Sequence, residues 1–201
     1  SRDSTYETFI EITGLLAEMD SMPVVTEEFV SQLQAAFNEL YENTKTSLSL
    51  TYEVIRTNLI GALQNASAES KAHIESIITD MYLLEAQGNE YLAGLQQEAD
   101  ETTQALIGMD TNSPEYENLK KHLSDLLIEI GTMTPSITEA TTAWETDLTE
   151  FGNMDINLVS EETLTKALEE LSESGGNLLL EMETNYNSAI TEINNAMAQA
   201  K

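Results

Sequence analysis

Residues 26–109 read TEEFVSQLQAAFNELYENTKTSLSLTYEVIRTNLIGALQNASAESKAHIESIITDMYLLEAQGNEYLAGLQQEADETTQALIGM. No proline interrupts them. Stepping by three or four from Phe29 lands on Leu33, Phe37, Leu40, Thr44, Leu48, Tyr52, Ile55, Leu59 and Leu63, and then on Ala66, Ser70, Ile74, Ile77, Met81, Leu84 and Gly88. The walk continues through Leu92, Leu95, Ala99, Thr102 and Leu106 to Met109. The mean step is about 3.6 residues, the period of an α-helix, whereas a strand would repeat every two. None of these positions carries a charge, in a chain with 36 acidic residues.

Thr26 is placed to cap this segment, with Glu27 and Glu28 at the positive end of the helix dipole and Val25 and Val30 as a hydrophobic staple. The stripe weakens at Asn43–Ser47, Asn65–Ser67 and Gln87–Asn89, where a break is allowed. The periodicity therefore leaves open whether 27–109 is one helix or several. Val30, Ala36, Tyr41, Val54, Ile60, Ile78, Leu83, Tyr91 and Ile107 widen the stripe beyond a two-stranded coiled-coil seam, so each helix is expected to meet several neighbours.

Working outward, residues 4–20 form a first amphipathic helix, with Tyr6, Phe9, Ile10, Thr13 and Leu16 on one face. Ser21-Met22-Pro23 ends it. Asp110-Thr111-Asn112-Ser113-Pro114 is a turn, with Ser113 as N-cap and Pro114 as first helical residue. A returning helical region spans 114–199. Its stripe runs Leu119, Leu123, Leu126, Ile130, Met133, Ile137, Ala140, Trp144, Leu148 and Phe151, then Leu164, Leu168, Leu171, Gly175, Leu178, Met182, Tyr186, Ile190, Ile193 and Met197. Interruptions fall at Gly131–Pro135, at the Gly152–Val159 loop before a cap at Ser160, and at Gly175-Gly176. The arms 27–109 and 114–199 have nearly equal lengths. The sequence therefore predicts one all-α domain over 1–201, an elongated antiparallel helical bundle or a long helical hairpin with additional helices. In the hairpin form, Leu84 would lie level with Ala140 and Leu59 with Thr165.

Composition closes off several functions. Eight Lys and Arg against 36 Asp and Glu give a net charge of −28. Nucleic-acid binding rests on neutralising phosphates and is excluded as a direct activity. Anionic membranes would repel the chain. The acids divide evenly along its length, as a solvated coat does and an acidic tail does not. No apolar run approaches the roughly 20 residues of a transmembrane helix. The absence of cysteine removes disulfides, thiolate metal sites and cysteine nucleophiles.

No catalytic, cofactor-binding or metal-binding residue is singled out. Di-iron bundles need Glu-x-x-His on one helical face. Ser70 stands three before His73 and Leu119 three before His122, so both histidines are expected to be isolated surface residues. Asn153, Asp155 and Asn157 alternate like the opening of a calcium loop, but Leu158 and Leu164 occupy the positions that need glycine and glutamate. Asp110-Thr111-Asn112 fails similarly and is expected to be a helix-cap turn. Methionine and tyrosine on the stripes are expected to be core. Asn65-Ala66-Ser67 matches the glycosylation triplet.

The helical style is similar to that of apolipophorin-type lipid carriers, sensor ectodomains and helical pore-forming toxins, a likeness of fold that carries no site residue across. The expected function is non-enzymatic: a secreted or surface-exposed acidic bundle acting in binding or scaffolding, with a protein partner or a second copy of itself. Long intervals without Lys or Arg, such as 72–119, fit exposure to trypsin-like proteases. The alternative is a carrier of lipid or another apolar ligand within a cavity between amphipathic helices.

Overall fold

The computed structural model describes residues 2–64 and 68–131, together with 160, 162, 163, 166, 167, 169, 170, 173 and 180. Helix α1 spans Arg2–Met19, α2 spans Glu27–Leu63 and α3 spans Ala68–Leu106. A fourth, α4, is described over 114–131. No β-strand occurs among the described residues, and the chain is an all-α helical bundle.

The long segment is two helices. α2 passes through 43–47 and α3 through 87–89 without interruption, so the one break falls between Leu63 and Ala68. The two then run antiparallel. Gln34 Nε2 donates to the Asp100 carbonyl at 3.5 Å, Arg56 pairs with Glu85, and Val25 pairs with Gly108 and Met109. Of the two architectures the stripe allowed, the bundle forms. The chain has already reversed once before the turn at 110–114, which corrects the reading of 27–109 as a single outgoing arm. The 3.6-residue phase of the stripe is the same in α2 and in α3, so periodicity alone does not report the reversal between them. Ala140, Thr165 and the side chain of Leu84 lie outside the described residues, as do the returning stripe beyond Gly131 and the loop at 152–159.

The chain divides into two compact units, the first built from 1–47, 89–134 and 186–201 and the second from 48–88 and 135–185. In the first unit the stripe behaves as the sequence predicts. Leu33, Phe37, Leu40, Leu92, Leu95 and Leu106 are buried, joined by Leu123, Leu126 and Ile130 of α4. The flanking positions Val30, Ala36 and Tyr91 are buried too, because α1 and α4 give the wide stripe additional neighbours. In the second unit Leu48, Tyr52, Leu59, Ile74 and Met81 are buried, whereas the flanking Val54, Ile60 and Leu83 are exposed.

Helix α1 presents a different face from the expected one. Thr8, Ile12, Leu15, Leu16 and Met19 are buried, while Tyr6, Ile10 and Thr13 are exposed and Phe9 is half-buried. The helix has apolar residues on most of its circumference. Periodicity identifies a helix, but here two stripes compete, and the denser one, with four large aliphatic side chains, faces the core.

Caps and turns follow the sequence closely. Phe29 N–H donates to Thr26 Oγ1 at 3.2 Å, Tyr116 N–H to Ser113 Oγ at 3.2 Å, and Thr163 N–H to Ser160 Oγ at 3.2 Å. Gly108, two residues past α3, has φ +77°, the left-handed conformation common after a helix end.

Candidate functional site

Three polar arrangements stand out in the two units, along with a set of exposed apolar side chains. The first lies where the connections 20–26 and 107–113 run side by side. Val25 N–H donates to the Met109 carbonyl at 3.0 Å, Gly108 N–H to the Val25 carbonyl at 2.8 Å, and Thr111 N–H to the Pro23 carbonyl at 3.2 Å. The Thr111 hydroxyl donates to the Met22 carbonyl. Val24 and Asp110 form an isolated antiparallel bridge. Asn112 N–H donates to Asp110 Oδ1 at 2.8 Å, so that side chain stabilises its own turn, as expected for a helix-cap loop. Beside this clasp, the Tyr116 hydroxyl donates to Asp20 Oδ1 at 2.6 Å and Lys120 Nζ pairs with Asp20 Oδ2. These contacts, the Lys120 bond first and the Tyr116 bond second, hold the Asp20 carboxyl below its ordinary range against a small opposing effect of burial. Burial and the bond to Asp20 push the Tyr116 hydroxyl above its ordinary value. The arrangement ties α1 to α4, and the pairing explains each group in it.

The second arrangement corrects an expectation. His122 is 3% exposed, not a surface residue. Its Nε2 lies 3.4 Å from Glu98 Oε2 across the α3–α4 contact, and among the described residues no group bonds its buried Nδ1. A histidine on the α4 stripe was legible as helical; only packing against α3 made it buried. Among the described residues, buried Thr44 Oγ1, Gln96 Oε1 and Asn89 Oδ1 likewise have no hydrogen-bonding partner. The side chain of His73 lies outside the described residues.

The third lies in the second unit. Arg56 Nη1 donates to Glu85 Oε2 at 2.5 Å, both side chains being largely buried. The guanidinium stacks over the Tyr82 ring, 4.3 Å from its centroid. Tyr52, 2% exposed, lies close enough that its hydroxyl is raised by burial first and by the Glu85 carboxylate second, with Arg56 opposing. No spacing signal announced this quartet, because Arg56 and Glu85 meet only when α2 and α3 pair.

None of the three combines a nucleophile, a base and a site for a reacting group. Among the described residues no group of three or more His, Asp and Glu is placed to hold a metal ion, and no helix is long and apolar enough to cross a membrane. Tyr6, Ile10, Leu50, Val54, Ile60, Tyr82, Leu83 and Ile128 are large apolar or aromatic side chains that stand out from the surface. No match to the chain was found among protein-family models, curated proteins or solved structures.

Proposed function

We propose that the protein is a non-enzymatic helical binding or scaffolding module that works outside cells or at a cell surface. The observation that carries this reading is the set of exposed apolar side chains held on well-packed helices. Large apolar side chains left exposed on packed helices are candidate contacts for a partner. Here they interrupt a coat with a net charge of −28, which otherwise keeps copies apart. Placement outside cells is supported by the long stretches without Lys or Arg, which offer few sites to trypsin-like proteases.

Carriage of an apolar ligand is the competing outcome. In the first unit Ile12, Met19, Leu33, Phe37, Leu40, Leu123, Leu126 and Ile130 are buried to 0% exposure, which favours a filled core over a ligand chamber. Native mass spectrometry of material from its natural source separates the two. A stoichiometric complex with another protein chain or with itself supports the binding module. A monomer that retains lipid through desolvation overturns it.

A further inference from the structure

Asp20 sits level with Lys120, and Phe9 sits against Gly131. Helices α1 and α4 therefore run antiparallel and touch along these lines. From Phe9, Thr13 lies about 40°, Tyr6 about 60° and Ile10 about 100° further round α1; from Lys120, Ser124 lies about 40° and Ile128 about 80° further round α4, at roughly 100° per residue. Between antiparallel helices these equal-handed rotations turn to the same side, opposite the core. The result is a groove in the first unit with Tyr6 and Ile10 on one wall and Ile128 on the other. Thr13, Ser124 and Gly131 form its floor.

The exposures agree with this placement. Tyr6 is 66%, Ile10 52% and Ile128 49% exposed. The floor is small and chemically quiet. Thr13 Oγ1 donates to the Phe9 carbonyl at 2.9 Å and Ser124 Oγ to the Lys120 carbonyl at 3.1 Å, so both hydroxyls are engaged within their own helices. Gly131 has no side chain, which lets Phe9 close the bottom. Nothing in the floor demands water or a polar ligand. The edges are acidic: exposed Glu7, Glu11 and Glu18 follow the outer side of α1, and exposed Glu117 stands on α4. Among the described residues of α4, Lys121 is exposed and Lys120 is paired with Asp20.

We propose that this groove receives one amphipathic helix of a partner protein, with large apolar residues down its centre and lysine or arginine along its edges. The chemistry is that of helix-in-groove recognition, in which apolar anchors at helical spacing supply affinity. Charge selects the occupant. A second copy would bring its own −28 and line glutamates against glutamates, while anionic lipid meets the same repulsion. A basic-edged helix meets attraction along the α1 rim, from Glu7, Glu11 and Glu18, and at Glu117 on the α4 rim. The proposal rests on the reading of the chain as a binding module and specifies where and what it binds.

The test uses the full chain, with backbone amide NMR shifts as readout. The probe is a synthetic helical peptide of 18 residues, the length of α1, with leucine at helical spacing and lysine on both edges. Controls are the same composition in scrambled order, the peptide with glutamate for every lysine, and phosphatidylcholine vesicles. The expected result is saturable shifts centred on Thr13, Ser124 and Gly131. Ile10→Glu and Ile128→Glu should each weaken binding by about tenfold or more, since a charge then faces an apolar anchor. Both sites are exposed, so circular dichroism should show these variants folded. Leu50→Glu, on the second unit, should leave affinity unchanged. Equal binding by the scrambled peptide overturns the proposal, as do groove shifts with vesicles in place of the peptide. Shifts mapped to the Leu50 and Val54 surface overturn the groove but leave the binding module standing. Binding of no peptide, with retained lipid in native mass spectrometry, removes both.

Discussion

Gly131 offers a test of how α1 and α4 pack, because two effects of opposite sign act at one atom. Alanine is favoured over glycine inside a helix by about 0.8–1.0 kcal/mol. With nothing near its Cβ, Gly131→Ala would therefore stabilise the protein. A Cβ built at Gly131 lies 2.5 Å from Phe9 Cδ2 and 2.8 Å from Phe9 Cε2. Ordinary carbon–carbon contact is about 3.5–4.0 Å, so the ring must retreat by about 1 Å. Phe9 is half-buried and attached to a helix whose other face carries Ile12, Leu16 and Met19 in the core. Swinging the ring out gives up its packing against Gly131, and moving α1 would disturb the core. Overpacking of this kind costs about 1–3 kcal/mol. The net expectation is destabilisation of up to about 2 kcal/mol. Phe9→Ala removes the obstacle, so Gly131→Ala in that background should recover the intrinsic helix gain. The assay is urea unfolding of the four proteins of the double-mutant cycle, followed by circular dichroism. If Gly131→Ala stabilises the otherwise unaltered chain as much as it does the Phe9→Ala variant, the close approach of α1 to α4 is refuted.

Asp20 has a lowered carboxyl pKa in the folded state, so the stability it contributes is present above the unfolded carboxylate range, near pH 4, and is lost as pH falls below it. Lys120→Met should consequently destabilise the protein at pH 7, and the difference from the unsubstituted chain should close below about pH 4; thermal melts at both pH values check this. Tyr52 and Tyr116 have raised hydroxyl pKa values, so folding resists their ionisation and stability should fall as pH rises above about 10, where an unfolded tyrosine ionises. Phenolate absorbance should then rise in step with loss of helix; two tyrosines titrating while the fold persists would contradict their burial. Raising salt at pH 7 should raise the melting temperature, because screening relieves repulsion across a surface of net charge −28 more than it weakens the ion pairs Arg56–Glu85 and Lys120–Asp20. A melting temperature that does not move between low and high salt would mean that the surface charges are already compensated.

Helix formation is written in interactions that reach three or four residues, and the sequence alone determined what depends on them. The 3.6-residue stripe fixed the all-α class. Thr26, Ser113 and Ser160 announced the caps because a hydroxyl there reaches an N–H of the next turn. Pro23 and the 110–114 turn marked helix ends because proline and Asx geometry act within their own turn. Packing decided everything that depends on which helix lies beside which. The stripe keeps its phase from α2 into α3, so it carries no record that the chain reverses between Leu63 and Ala68. The pairing of Arg56 with Glu85, the burial of His122 beside Glu98 and the contact of Phe9 with Gly131 join residues 29, 24 and 122 positions apart. For α1, local periodicity offered two apolar faces, and the choice of Ile12, Leu15, Leu16 and Met19 as the inner one was made by the neighbours. That choice left Tyr6 and Ile10 at the surface, since a helix can turn only one side to a core whose other walls are already in place.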